Sequence, residues 1–148
     1  MKRNLAGLAV GVVLAASLAA CAGPTEEQKA AAAAAKPLNA QELSQLVTGN
    51  SLSGLSRTRK SNWTEYYDPS GAIVGVWKAT SGSDTGKYGG TWKLEGDKFC
   101  GDYAEDDESD GCYQIAVNGD KVYFLKEDGM AHNPDRPASL VQGKAAGI

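Results

Sequence analysis

The chain has 148 residues, of which 15 are Lys or Arg and 18 are Asp or Glu, so its formal net charge is −3. A net negative charge argues against nucleic acid and against anionic lipid as electrostatic partners, because both repel an acidic protein. Once the N-terminal segments described next are set aside, about a hundred residues are left, enough for one small domain with a single core.

The N-terminus has the charge and hydropathy pattern of an export signal. Lys2 and Arg3 precede an uncharged apolar segment over Leu5–Ala20 that is rich in Ala, Val and Leu. This segment is shorter than the roughly 20 apolar residues that a membrane-spanning helix needs. We therefore interpret residues 1–20 as a signal peptide that is removed from the mature chain. Its removal leaves 13 basic and 18 acidic side chains, a net charge of −5.

The apolar segment ends in Leu18-Ala19-Ala20-Cys21, where small residues stand directly before a cysteine. These four residues resemble the lipobox of bacterial lipoproteins. The resemblance implies cleavage before Cys21, diacylglycerol on the Cys21 sulfur and, in most members, a third acyl chain on the new amino group. At about 0.8 kcal/mol per buried methylene, two or three chains hold a protein on a bilayer almost permanently. Ala22, in place of Asp, implies sorting to the outer membrane. The alternative is a secreted protein whose cysteine lies at the cut by chance.

Residues 21–37 predict an alanine-rich flexible tether. Six alanines, Ala30–Ala35, follow a charged stretch. Alanine favours helix, but the segment has no apolar face, so we expect partial helicity without packing against the domain. The expected purpose of the tether is reach, which would lift the domain away from the lipid headgroups.

A short helix is predicted at Ala40–Thr48, at the start of the folded domain. Asn39 is a good N-cap, and Glu42 stands three residues later as in a capping box. Gly49 follows at the position where a helix end favours a left-handed residue. The apolar side chains of this helix form a narrow stripe that could lie across the open end of a β domain.

From Leu52 onward, short β-prone runs alternate with turn residues. The runs are Trp63–Tyr67, Ala72–Thr80, Thr91–Glu95, Lys98–Tyr103, Cys112–Val117 and Lys121–Lys126. Asp68–Gly71 is typical of a type I turn and Asn118-Gly119 of a two-residue hairpin, whereas residues 81–90 predict a glycine-rich loop. Residues 38–148 are thus predicted to form one mainly β domain, an antiparallel meander closed as a barrel or a sandwich, with one short leading helix.

Three features of this region resemble small exported bacterial domains of unassigned function, many of them alphaproteobacterial. They are the stretch Trp63–Gly75, the Gly90-Thr91-Trp92 that follows, and the later pair of cysteines. The resemblance covers most of Leu43–Gly129 and implies a β-rich secreted module. It transfers no functional residues to this chain.

With Cys21 acylated, two cysteines are left, Cys100 and Cys112. An even pair in an exported chain predicts one disulfide. A metal site is the alternative, but it would need more nitrogen or sulfur ligands than the distant His132 can supply. If the gain comes from chain entropy, a bridge across so short a loop stabilises the domain by about 3 kcal/mol.

An acidic cluster between the two cysteines is the first candidate binding site. Asp106, Glu108 and Asp110 have the spacing with which an EF-hand loop begins, so Ca²⁺ is the candidate cation. The match then fails, because Val117 stands where that loop needs a bidentate Glu. The alternative is a solvated hairpin tip.

Aromatic side chains are the second candidate site. Inside a barrel they could line a pocket for a small ligand, or they could simply fill the core. The residues that we predict for such a pocket are Trp63, Trp77, Trp92 and Tyr123.

The sequence contains no motif that indicates catalysis. His132 is the single histidine, and the sequence has neither a nucleophile elbow nor a phosphate-binding glycine loop. The protein is therefore predicted to be a non-catalytic, periplasm-facing outer-membrane lipoprotein whose β domain binds a protein or another envelope component, as inhibitor-type lipoproteins do. Two alternatives are a lipocalin-like carrier of a small apolar ligand and a calcium-dependent structural module.

Overall fold

A computed structural model describes residues 23–56, 58, 60–104 and 110–148. In these residues the chain forms two short helices, α1 (Glu26–Ala33) and α2 (Ala40–Val47), and nine strands. The strands are β1 (Lys36–Pro37), β2 (Ser51–Leu55), β3 (Ser61–Tyr67), β4 (Ala72–Ala79), β5 (Thr85–Glu95), β6 (Lys98–Tyr103), β7 (Gly111–Asn118), β8 (Lys121–Leu125) and β9 (Ala138–Val141). None of the described helices is long and apolar enough to cross a bilayer.

Strands β2 to β9 form a closed antiparallel barrel. Each pairs with the next strand along the chain, and β9 pairs back with β2, which completes a ring of eight strands. The prediction of a mainly β meander is confirmed, and the closure is that of a barrel. Successive side chains of each strand alternate between the interior and the outer surface. In β3, for example, Trp63, Glu65 and Tyr67 point inward.

Helix α2 closes one end of the barrel. The Glu42 amide donates to Asn39 Oδ1 and the Asn39 amide donates to Glu42 Oε2, both at 3.0 Å, so the predicted capping box is present. Leu43 and Val47 are 0% and 1% exposed and pack against apolar side chains from inside the barrel. The helix prediction is confirmed, with Gly49 at φ +73° after the helix end.

The segment before α2 is docked, and the prediction of an undocked tether is wrong for its described part. Ala32 is 9% exposed and packs with Ala116, Tyr123 and Leu125, which lie on the outer face of β7 and β8. Strand β1 then pairs with β7. Periodicity within the segment could not reveal this contact, because its apolar partner is a patch on the outside of the barrel. Alanine is also small enough for the helix to approach that patch closely.

Several strand assignments differ from the sequence predictions, among them the first half of β5 and the whole of β9. Thr85–Gly90, expected to be loop, is the first half of β5 and pairs with β4. Glycine has a low strand propensity, but here the ring of Trp77 covers Gly86, and Gly89 and Gly90 lie close to the backbone of the neighbouring strands. Strand β9 was not predicted at all. It is a short strand whose pairing with β2 and β8 comes from barrel closure rather than from its own pattern.

Cys100 and Cys112 are directly opposite each other in the β6–β7 ladder, with their Cα atoms 4.0 Å apart, and they form the predicted disulfide. The bridge lies on the outer surface of the barrel, because their neighbours Phe99 and Tyr113 point inward. It therefore fixes one hairpin of the wall without occupying the interior.

Candidate ligand site at the loop end

The two ends of the barrel differ in how the strands are connected. At the end closed by α2, the strand connections are residues 68–71, 96–97 and 119–120. At the other end they are longer and comprise residues 56–60, 80–84, 104–110 and 126–137. We refer to the first as the closed end and to the second as the loop end. Binding residues are more often found near long loops held by a rigid scaffold, so the loop end is the natural place for a site.

Three aromatic rings line the inner wall toward the loop end, each lying over a glycine of a neighbouring strand. Trp63 covers Gly54, Trp77 covers Gly86 and Tyr88 covers Gly75. A Cβ atom at any of these glycines would overlap several atoms of the ring at once, which shows that the rings meet the wall face-on. Because one face of each ring lies against the wall, the other face is turned toward the barrel axis.

The aromatic residues predicted for a pocket do not form one group. Trp77 is 37% exposed although it points inward, and Trp63 is half-buried. Trp92 belongs to the closed end, where its indole Nε1 donates to the Asp68 carbonyl at 3.0 Å and its ring stacks on Phe99. Tyr123 is on the opposite side of the wall, buried beneath α1. The structure thus brings Trp63 and Trp77 to the loop end and places the other two elsewhere.

A buried carboxylate lies beside the ring-lined wall. Glu65 is 7% exposed. Its Oε2 accepts from the Tyr67 hydroxyl at 2.7 Å and from the Tyr103 hydroxyl at 2.9 Å, and its Oε1 accepts from the Tyr88 hydroxyl at 2.8 Å. Hydrogen bonds to an ionised acceptor are short and strong, so this group holds three rings from three strands in fixed positions. We refer to these four residues as the Glu65 cluster.

The Glu65 cluster also changes the acidity of its most buried member. Burial raises the pKa of Tyr67 well above its ordinary value, and the negative charge of Glu65 raises the pKa further. Ionisation of Tyr67 would place a second negative charge next to the carboxylate in a region with little water. Tyr67 is therefore a hydrogen-bond donor at physiological pH and is not poised to act as a base.

Glu65 was not predicted as a site residue, although the sequence contains a signal for it. In Trp63-Thr64-Glu65-Tyr66-Tyr67, the acid shares the alternating register of two large aromatic residues. An acidic residue at an inward position of a strand is expensive unless donors surround it. The tyrosine donors come from β3, β5 and β6, so only the barrel register identifies them.

The structure describes only part of the acidic cluster between the two cysteines. Asp106 and Glu108 lie outside the described residues, and so does Cys21, the predicted lipidation site. Asp110 Oδ1 accepts from the Tyr103 amide at 2.8 Å, which ties the two ends of the loop together. Calcium binding therefore stays a prediction. Glu95 Oε2 lies 4.0 Å from Cys112 Sγ, but both sulfurs are in the disulfide and neither is available as a thiolate ligand.

Comparison with protein-family models, with curated proteins and with solved structures finds no match to this chain. Its function is consequently inferred from its own sequence and geometry. Among the described residues, the loop end combines inward-facing rings, partial exposure and a buried polar cluster that fixes their positions.

Proposed function

We propose that the protein is a non-catalytic lipoprotein of the bacterial envelope whose barrel binds a small envelope component at the loop end. The observation that carries this proposal is the exposed, inward-facing Trp77 at the loop end, in contrast to the closed end, which α2 fills. Eight-stranded barrels are just wide enough either to be filled by side chains or to hold one small ligand. Here side chains fill the half of the barrel next to the closed end (the closed half). The half next to the loop end (the loop half) exposes the faces of aromatic rings.

The chemistry of the wall favours a ligand with a flat or apolar body. The faces of Trp63 and Trp77 offer large apolar contact areas and no hydrogen-bonding groups. The Tyr88 hydroxyl already donates to Glu65, so its ring also contributes mainly a face. Sites for small molecules typically combine such apolar walls with a few fixed polar groups. A lipocalin-like role, initially an alternative, is therefore the form of envelope binding that the geometry favours.

Two observations support the envelope location. The order of a basic start, an apolar segment and Leu18-Ala19-Ala20-Cys21 resembles the lipobox of lipoproteins. The Cys100–Cys112 disulfide is typical of a chain that folds outside the reducing cytoplasm. Outer-membrane attachment facing the periplasm stays part of the proposal, and so does binding of an envelope protein at the same end.

Binding can be tested with N-phenyl-1-naphthylamine, a neutral aromatic dye whose fluorescence rises in apolar sites. We use residues 22–148, which include every described element. The unmodified sequence should bind the dye with energy transfer from tryptophan. Trp77→Ala should weaken binding about tenfold, which corresponds to about 1.4 kcal/mol.

Val74→Ala is the matched control, because Val74 is on the same strand and is also 37% exposed, but it points outward. It should leave dye affinity unchanged. Equal effects of the two substitutions, or no saturable dye binding by the unmodified barrel, would contradict a ligand site at the loop end. Circular dichroism would confirm that both variants keep the fold.

The anchor requires a separate test on the full chain. Cys21→Ser should move the protein from the membrane fraction to the soluble fraction, because the acyl chains supply the membrane affinity. Incorporation of radiolabelled palmitate should disappear with the same substitution. Continued membrane association of the variant would show that the cysteine is not the anchor.

A further inference from the structure

We propose that the barrel is held close to the membrane with one defined wall toward the bilayer, the wall of β7 and β8 on which α1 is docked. The opposite wall, formed by β3 and β4, then faces away. This inference rests on lipidation of Cys21, which belongs to the proposed function. It replaces the expectation of a long tether with a short and directional attachment.

The first argument is the length of chain between the anchor and the described structure. Cys21 is two residues before Gly23, and consecutive Cα atoms are 3.8 Å apart, so their Cα atoms are separated by at most about 8 Å. An extended tether over residues 21–37 would have reached roughly 55 Å. Thr25 then caps α1 through a capping box with Gln28, which begins the docked helix.

The second argument is that α1 is attached to the barrel at several points. Ala32 is buried in the patch formed with Tyr123 and Leu125. Asn118 Nδ2, at the end of β7, donates to the Ala31 carbonyl at 2.9 Å. The following strand β1 pairs with β7. The acylated residue is therefore linked to one particular wall and cannot move freely around the barrel.

The third argument is the position of that wall in the ring. In the eight-stranded ring, β3 is four strands away from β7 and β4 is four strands away from β8, so β3 and β4 form the opposite side. Adjacent strands are about 4.8 Å apart, which gives a tilted ring of eight a diameter of roughly 15 Å between backbones. Helix α1 lies on a side wall rather than across the loop end, so its docking does not itself cover the proposed binding site.

Ion pairs offset part of the charge on the α1 side. Lys29 pairs with Glu26 at 2.8 Å, and Lys121 pairs with Asp120 at 2.9 Å. Paired exposed charges contribute little to attraction or repulsion at a headgroup surface. The covalent anchor and the docked helix, rather than electrostatics, would therefore set the orientation.

The orientation can be measured by energy transfer from the barrel to the lipid surface. The full lipidated chain is reconstituted in phosphatidylcholine nanodiscs that contain an acceptor-labelled headgroup. A genetically encoded fluorescent amino acid is placed at Asp120, in the β7–β8 turn, or at Ser70, in the β3–β4 turn. Both residues are exposed and both turns are at the closed end, so the two positions differ mainly in which wall they report.

Transfer from position 120 should exceed transfer from position 70 by about twofold or more, given the width of the barrel. Ala32→Glu should abolish this difference, because a charge buried against Tyr123 and Leu125 undocks α1. Ala33→Glu, on the exposed side of the same helix, is the matched control and should preserve it.

The possible failures are distinguishable. Equal transfer from the two positions in a membrane-bound protein would overturn the orientation and leave the lipoprotein proposal intact. Greater transfer from position 70 would show that the β3–β4 wall faces the membrane, which would contradict the proposed orientation. A chain that carries no lipid and does not enter nanodiscs would instead contradict the proposed lipidation itself, and with it this inference.

Discussion

The closed end and the loop end of this barrel are built from different side chains. At the closed end, Leu43, Val47 and Leu52 are at most 1% exposed, and α2 seals the opening. At the loop end, aromatic rings lie over glycines, and Trp77 is 37% exposed. A small barrel needs a packed interior for stability, but a fully packed interior cannot accept a ligand. In the proposed ligand-binding role, the closed half supplies the packed interior and the loop half accepts the ligand, which satisfies both requirements.

The Glu65 cluster connects the two halves. Tyr67 is 1% exposed and its ring packs edge-on against Phe99 in the closed half. Tyr88 lies on the half-buried wall of the loop half, and both hydroxyls donate to the same carboxylate. The cluster thus gives the loop half fixed ring positions without requiring a second packed core. We therefore expect substitutions in the packed closed half to lower the free energy of unfolding more than substitutions in the loop half.

The largest effect should come from Leu43→Ala at the closed end. Loss of a fully buried leucine leaves a cavity and should reduce the free energy of unfolding by about 3–4 kcal/mol. Trp77→Ala should cost only about 1–2 kcal/mol, because its site is open to water and no closed cavity is left. Thermal and denaturant unfolding of both variants measures the contrast. Dye affinity should change in the opposite order. Equal losses of stability in the two variants would show that the loop end is packed as tightly as the closed end.

Reduction of the disulfide should cause the next largest loss of stability. Loss of the Cys100–Cys112 bridge should lower the free energy of unfolding by about 3 kcal/mol on the chain-entropy account. The bridge joins the two strands that carry the 104–110 connection, so hydrogen exchange should rise first in β6 and β7 near the loop end. Amides of α2 should keep their protection. The double variant Cys100→Ser/Cys112→Ser is the control, and its stability should not respond to reductant.

Removing the hydroxyl of Tyr67 should lower the free energy of unfolding more than removing the hydroxyl of Tyr88. Tyr67→Phe should cost about 2 kcal/mol, because the carboxylate loses a donor in the most buried part of the cluster. Tyr88→Phe should cost about 1 kcal/mol, because its site is nearer to water. A double-mutant cycle with Glu65→Gln measures each coupling. Zero coupling for both tyrosines would show that the cluster does not act as a unit.

The smallest effect concerns alkaline pH. Because the pKa of folded Tyr67 is raised, the folded state favours the protonated hydroxyl more than the unfolded state does. The resulting stability is complete below the unfolded pKa of about 10 and is lost as pH rises through the higher folded value. The free energy of unfolding should therefore fall as the pH rises above about 9, and less steeply in Tyr67→Phe. Identical slopes in the two proteins would contradict the expected shift.

Much of the architecture could be predicted because its signals are local. The Asn39–Glu42 capping box joins residues three apart, and it marks the start of α2 in sequence and structure alike. The Asp68–Gly71 turn likewise closes with the Gly71 amide donating to the Asp68 carbonyl at 2.9 Å. The candidate site was only half predicted, since Trp63 and Trp77 reach the loop end and Tyr123 does not. A strand shifted by one residue exchanges its two faces, so a list of aromatic residues cannot assign them to the interior.

By itself, the sequence determined the capped helix, most strands, the turns and the cysteine pair, because short-range hydrogen bonding and side-chain alternation specify them. The tertiary structure decided the docking of α1, the existence of β9, the burial of Tyr123 on the outer wall and the assembly of the Glu65 cluster. Each of these depends on contacts between residues far apart in the chain, whose partners are set only when the ring closes. The same closure turned an expected tether into a helix fixed to one wall.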